Sequence, residues 1–339
     1  MSWPDDAPAP ATLVDPEDQL RTRIAWYYYV EGLTQRQIAE RLGINRIRVN
    51  RILAACREQG VVQIRINSKL ASCIELERAL ERKFELDEVV VVPSPAEDDD
   101  VPEVLGVAAG NYISNELSDG QSVGMGWGRT LRNSLRSIQR RPLQGLSVVS
   151  LLGGLTRASA MNTYETAARF ADLFGAECYY LAGPAFTSTE ASRDLFLEQE
   201  VLKEVYEKAK RVDLALVSCG DITKKSTIRR LGLVTDEELR TLKEAGAAGD
   251  LLGHYLDAEG QMVDHPLNHR VLALSPADLR QIPKVILTSG GRSKIDIIRG
   301  VLRGGFVDVL ITDEETAGRL NASEGGTTGT RKSKRAPSS

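Results

Sequence analysis

The chain has 339 residues, about twice an average domain, with 42% hydrophobic and 27% charged residues, so a large core with a smaller attached module is expected. No apolar run approaches the roughly 18 residues needed to cross a bilayer, which argues against a membrane span. A net charge of -4 alone argues against nucleic acid, yet from Arg36 to Arg65 seven arginines meet only Glu40 and Glu58, leaving a local basic face on an acidic protein.

The opening MSWPDDAPAPATLVDPED has early acids and scattered prolines where a signal peptide needs a basic start and an apolar stretch. Residues 1–16 therefore read as a disordered lead-in to a cytoplasmic protein. Cys56, Cys73, Cys178 and Cys219 form no C-x-x-C pair, which fits reduced, buried thiols.

Residues 17–67 read as a DNA-binding module. In RTRIAWYYYVEG, Ile24, Ala25, Tyr28 and Tyr29 have near-helical spacing, and a first helix is expected to end near Gly32. Thr34 is expected to cap a second helix, with Gln37 completing a capping box and Ile38, Ala39 and Leu42 buried. Gly43 ends it. Asn45 then caps a third helix whose apolar stripe is Ile44, Val49, Ile52 and Leu53. Two short helices joined at Gly43, with small Ala39 at their crossing, form the helix-turn-helix pattern. In that motif the second helix enters the major groove, so Asn45, Arg46, Ile47 and Asn50 are the expected base readers, Arg46 suited to guanine and Asn50 to adenine. Arg48, Arg51, Gln35 and Arg36 are the expected phosphate contacts. The alternating VVQIRIN after Gly60 reads as the strand of a wing. A linker over residues 68–85, with LASCIELERALERKF as its helix, would connect two domains or pair with its copy in another subunit; palindromic sites call for at least a dimer.

From residue 86 to 320, short apolar runs alternate with helical stretches. The expected strands are 88–93, 121–126, 146–153, 177–182, 212–220, 284–290 and 307–313, and the expected helices are 103–117, 163–174, 193–210, 235–246 and 294–303. Continuous apolar strands alternating with helices specify a doubly wound, Rossmann-like α/β domain with a parallel sheet. Ligands bind such sheets beyond the carboxyl ends of the strands. Those ends carry SVGMGWGRTL, with Gly124, Gly126, Gly128 and a helix starting near Thr130; Gly153 and Gly154, with Asn162 shortly after; Gly220 and Asp221; Gly290 and Gly291 with Lys294; and Asp313. The alternating glycines match neither a Walker loop nor a dinucleotide fingerprint, so no nucleotide cofactor is expected. His265 and His269 straddle Pro266 with no thiol nearby, and no zinc site is expected. The acidic run Glu97 to Asp100 reads as a solvated loop, and residues 321–339 as a disordered basic tail.

Four blocks in order resemble the SorC family of sugar-binding bacterial transcription regulators: YYYVEGLTQRQIAERLGI with its following helix, SVGMGWGRTL, GDLLGHYLDAEG and GGRSKIDIIRGVLRGGFVDVLITDEETA. The resemblance implies a winged helix joined to an effector domain of the fold shared with ribose-phosphate isomerase and glucosamine-phosphate deaminase, commonly in tetramers. It places Gly124, Gly126, Trp127, Gly128, Arg129, Thr130, Gly153, Gly154, Asn162, Asp250 and Lys294 around the effector, Asp250 accepting from sugar hydroxyls and Lys294 meeting a phosphate or other polar end. Members that sense sugar phosphates can carry an arginine before the paired glycines; Leu152 stands there, which tilts the expectation towards a free sugar or polyol.

The expected function is a non-enzymatic regulator of a carbohydrate or polyol operon whose operator binding responds to a sugar, polyol or sugar phosphate. The alternatives are an isomerase- or deaminase-like enzyme with an accessory DNA-binding module, for which Asp221 or Asp250 would be the general base, and a constitutive architectural DNA binder.

Overall fold

The computed structural model describes residues 15–58, 61–62, 70–155 and 162–322. The chain divides into two compact units, Met1–Ser68 and Lys69–Ser339.

In the first unit, three helices run over Pro16–Tyr29 (α1), Gln35–Leu42 (α2) and Arg46–Glu58 (α3). Their ends follow local chemistry. Thr34 Oγ1 accepts from the Gln37 amide while the Thr34 amide donates to Gln37 Oε1, closing the capping box. Gly43, at φ 64°, ends α2 in a conformation that costs other residues a Cβ clash, and Asn45 Oδ1 accepts from the Arg48 amide at 2.7 Å to start α3. Ile24, Ile38, Ala39, Val49, Ile52, Leu53 and Cys56 fill the core between them. Tyr28 is 37% exposed, since the buried stripe of α1 passes through Ile24 and Ala25, flanked by Tyr27 and Tyr29. Of the expected wing, residues 63–67 lie outside the described residues, as do most of the expected lead-in and tail.

The second unit is built on a seven-stranded, all-parallel sheet. Its strands are Glu88–Val92 (β1), Ser122–Met125 (β2), Ser147–Ser150 (β3), Glu177–Tyr179 (β4), Leu214–Val217 (β5), Lys284–Thr288 (β9) and Val309–Asp313 (β10), in the order β1-β10-β9-β5-β2-β3-β4. Every expected strand is present. β5 and β10 are buried along their whole length, as strands covered on both faces must be. Beyond the expected strands, Cys219–Asp221 (β6), Gly249–Leu251 (β7) and His254–Leu256 (β8) form a small antiparallel sheet. The run 212–220 therefore splits at Ser218 into β5 and β6, and the expected helix 193–210 breaks at Gln199 (ψ 125°) into Glu190–Glu198 and Glu200–Ala209.

The helix Ala71–Phe84 (α4), expected as a connector, packs into the second unit. β1 is an edge strand whose outward amides need partners; Glu77 accepts from the Val91 amide at 2.9 Å and Glu81 from the Val89 amide at 3.4 Å. Cys73, Leu80 and Phe84 are buried on the same side, and Ser72 Oγ donates to Glu314 at 2.6 Å. Leu80 is 0% exposed. Leu80→Ala is expected to cost about 2–5 kcal/mol, read as a lower urea midpoint for the second unit; a loss under about 0.5 kcal/mol would mean α4 is not part of that core.

Candidate ligand cleft and nucleic-acid interface

A cleft of about 1140 Å³ opens beyond the carboxyl ends of β2, β5 and β9. This is the end at which a parallel sheet presents its loops, and the volume admits a small polar ligand with water. β2 leads into Trp127, Gly128, Arg129 and Thr130, β5 into Ser218 to Asp221, and β9 into Gly290 to Lys294. Gly128 (φ 130°) precedes the helix Arg129–Ser134, and Gly291 (φ 99°) precedes the turn Arg292–Lys294. Neither glycine offers a side-chain cap to the helical turn that follows it.

Asp250, on β7, forms part of the lining and is 2% exposed. Its Oδ2 accepts from the Gly253 amide at 2.9 Å, while Oδ1 has no protein partner. Gly220 on the paired strand makes room for it, for a Cβ there would lie 2.3 Å from Oδ1. Burial pushes the carboxyl up to about 6, against the Gly253 hydrogen bond and the Lys294 charge, with Asp221 adding to the rise. A carboxyl raised in this way contributes stability that is complete below its ordinary value and lost as pH rises through about 6. Comparing wild type with Asp250→Asn in urea from pH 4 to 7, the wild type is expected to lose about 2 kcal/mol relative to the variant. Parallel curves would show that Asp250 does not titrate there.

Asp221 Oδ1 accepts from the Thr223 amide at 2.8 Å, and its Oδ2 from Ser293 Oγ at 3.2 Å, joining the loops after β5 and β9. Burial pushes the Cys219 thiol up to about 11, and its Sγ donates to Ser289 Oγ. Among the described residues no histidine lines the cleft.

Of the residues expected around the ligand, the cleft gathers Trp127, Gly128, Arg129, Thr130, Asp221, Asp250 and Lys294. Five others lie elsewhere. Gly124 sits inside β2, where a Cβ would come within 2.6 Å of the Leu151 side chain, and Gly126 donates its amide to Leu216 O at 2.8 Å. The Gly153 and Gly154 amides donate to Leu272 O and Gly183 O, each at 2.8 Å. Asn162 caps the helix Thr163–Phe174 and holds Leu155 by both its backbone groups. These polar groups are committed within the protein. Leu152 is fully buried, bridged to Ala273, and is not among the residues that line the cleft. Asp313, expected to converge on the pocket, is instead a buried pin accepting from Ser94 Oγ, Thr316 and the Gly291 amide.

Glu97, Asp98 and Asp99 are exposed, as a solvated loop requires, and they also line the cleft. Asp98 Oδ1 accepts from the Arg292 amide at 3.1 Å, and Arg129 Nη2 donates to Asp99 O at 3.2 Å. A run of acids carries no periodicity from which this inward turn is readable.

In the first unit, the start of α3 presents Asn45, Arg46, Ile47, Arg48, Asn50 and Arg51 to solvent, Ile47 being 80% exposed. Gln35 Nε2 donates to Asn50 Oδ1 at 3.3 Å, and Arg46 Nε donates to Gln35 Oε1 at 3.5 Å, a chain that orders three of the expected contact residues. Asn45 caps α3 as expected, and that commits the side-chain oxygen that a base contact would also need. Arg36 lies 3.7 Å from Glu40, an exposed pair of little energetic consequence. Arg41 stacks over Tyr27 and pairs with Glu31, which commits it to the fold.

A helix-turn-helix carried on a parallel α/β domain with a polar cleft at its strand ends defines a ligand-sensing DNA-binding regulator. Residues 68–321 match the family model of a sugar-binding domain, and residues 18–59 match that of Sigma-70 region 4. The chain belongs to the SorC family of sugar-binding transcriptional regulators. It is 32% identical over 310 residues to the erythritol catabolism regulatory protein EryD of Brucella abortus, covering 91% of this chain and 98% of the relative. It is 33% identical over 307 residues to the deoxyribonucleoside regulator of Bacillus subtilis, covering 90% and 97%. The crystal structure of the full-length sorbitol operon regulator SorC from Klebsiella pneumoniae is similar with a TM-score of 0.69 at 29% identity, covering 90% of this chain and 99% of that one. No helix among the described residues is long and apolar enough to cross a membrane.

Proposed function

We propose that this regulator controls a carbohydrate or polyol catabolic operon in the cytoplasm, and that a polyhydroxylated effector in the cleft of the second unit alters its affinity for operator DNA. The observation that carries the reading is Asp250 Oδ1, buried at the cleft without a partner. A buried acceptor of this kind requires a donor, and a sugar or polyol hydroxyl supplies one. Lys294, Arg129 and Trp127 would complete the effector's surroundings, with Asp221 positioning the loops after β5 and β9. Operator contacts fall to Arg46, Ile47 and Asn50 at base edges and to Gln35, Arg36, Arg48 and Arg51 at phosphates, with Asn45 holding the start of the reading helix. A palindromic operator requires a two-fold symmetric protein, so the working form is a dimer or tetramer.

On this reading the cleft serves to sense its ligand. Its thiol is held neutral and no imidazole reaches it among the described residues. The test is a fluorescence-anisotropy titration on DNA from upstream of the protein's own gene, with erythritol, sorbitol, deoxyribonucleosides and their phosphates added in turn. A specific complex that one compound strengthens or weakens is expected. A complex indifferent to every compound would sink the reading.

A further inference from the structure

The charges of the cleft nearly cancel. Six lysine and arginine side chains line it against five carboxylates, and two of the arginines already have partners. Arg292 turns its guanidinium away to Glu315, donating at 2.8 and 3.1 Å, and Arg129 donates to the Asp99 carbonyl. Asp98 belongs to the segment that follows β1, yet its Oδ1 lies on the Arg292 amide at 3.1 Å, and both of its oxygens are 3.5 Å from the position a Cβ would take on Gly291. The turn Arg292–Lys294, which Gly291 cannot cap, is thus already capped from outside by the Asp98 carboxylate.

We propose that Asp98 is a specificity-determining residue, seated where a phosphate would bind beside Lys294, and that it sets this sensor for neutral sugars or polyols against phosphorylated ones. A phosphate approaching the Gly291–Lys294 turn must displace Asp98 from the Arg292 amide and lie beside a like charge. A hydroxyl meets no such opposition, since it donates to a carboxylate. Asp250, which lines the same cleft and whose Oδ1 is buried and unpartnered, independently calls for a donor and not an anion. Discrimination built from a repulsive element is a general device for rejecting a close analogue of the intended ligand.

The proposal rests on the reading of the cleft as the effector site. Its test is calorimetric titration of the full-length chain with inorganic phosphate at constant ionic strength. Asp98→Asn keeps an oxygen for the Arg292 amide and removes the charge. It is expected to tighten phosphate binding about tenfold, the order set by one like charge about 4 Å from a dianion even at the dielectric of water. Adding Lys294→Ala to Asp98→Asn is expected to remove the gain, and Glu103→Gln, an exposed carboxylate outside the cleft, to leave phosphate binding within twofold of wild type. The proposal is overturned if Asp98→Asn binds phosphate no more tightly than wild type, if the gain survives Lys294→Ala, or if Glu103→Gln produces an equal gain. The titration needs no operator, so a missing operator response would count against the sensor reading and not against Asp98.

Discussion

Asp250→Ala is expected to weaken effector binding by about 10–100-fold while leaving the effector-free affinity for operator within about twofold. The variant removes the acceptor that the effector hydroxyl would satisfy, and a hydrogen bond to a charged group contributes about 1.5–3 kcal/mol. It also strips the Gly253 amide of its acceptor at the turn between β7 and β8, a local loss inside the second unit. The measurement is the effector concentration that half-shifts the operator complex, read by anisotropy. Unchanged effector sensitivity would remove Asp250 from the site, and equal damage to DNA binding would mean that the variant perturbs more than the cleft.

The converse holds for Arg46→Ala. Arg46 is exposed at the start of α3 and oriented by Gln35, the position from which a recognition helix reads a base edge. Its loss is expected to cost about 1–3 kcal/mol of discrimination between operator and unrelated DNA, or roughly 10–100-fold, with effector binding unchanged. Arg51→Ala is the control. Taking away a guanidinium that neutralises a backbone phosphate weakens binding to all sequences alike and lowers the salt dependence by about one charge. If Arg46→Ala weakened operator and random DNA equally, Arg46 would belong with the phosphate-binding arginines.

Much of this arrangement is legible in the sequence because it depends on local rules. Thr34, Gln37 and Gly43 announce the ends of α2 by capping chemistry that involves few residues. β5 and β10 are legible because burial on both faces makes each a continuous apolar run. The sheet β6-β7-β8 follows no such rule. Its strands are three residues each, and the pairing of Gly220 with Asp250 joins segments far apart in the chain. In the sequence Asp250 consequently stands out only through its resemblance to a family motif, and the orphaned oxygen that gives it a role emerges when Gly220 and Gly253 pack around it.

The glycines divide for a related reason. Gly128 and Gly291 have positive φ and open onto the cleft, whereas Gly124, Gly153 and Gly154 are small because Leu151, Gly183 and Tyr164 stand against them. A glycine needed for backbone freedom and one needed for close packing read alike in sequence. Asp98 is the extreme case, since a carboxylate in an acidic run has no partner until Arg292 is folded against it.

A sensor of this kind works only if cleft and operator are coupled, and coupling is reciprocal: an effector that changes operator affinity by some factor must itself bind the operator complex with an affinity changed by the same factor. The decisive quantity is therefore the effector dissociation constant of the full-length protein, free and saturated with operator, set beside the operator dissociation constant with and without effector. The two ratios are expected to agree and to differ from one by about 5–150-fold. Effector binding that is identical with and without operator would rule out the coupling, however tightly each ligand binds alone.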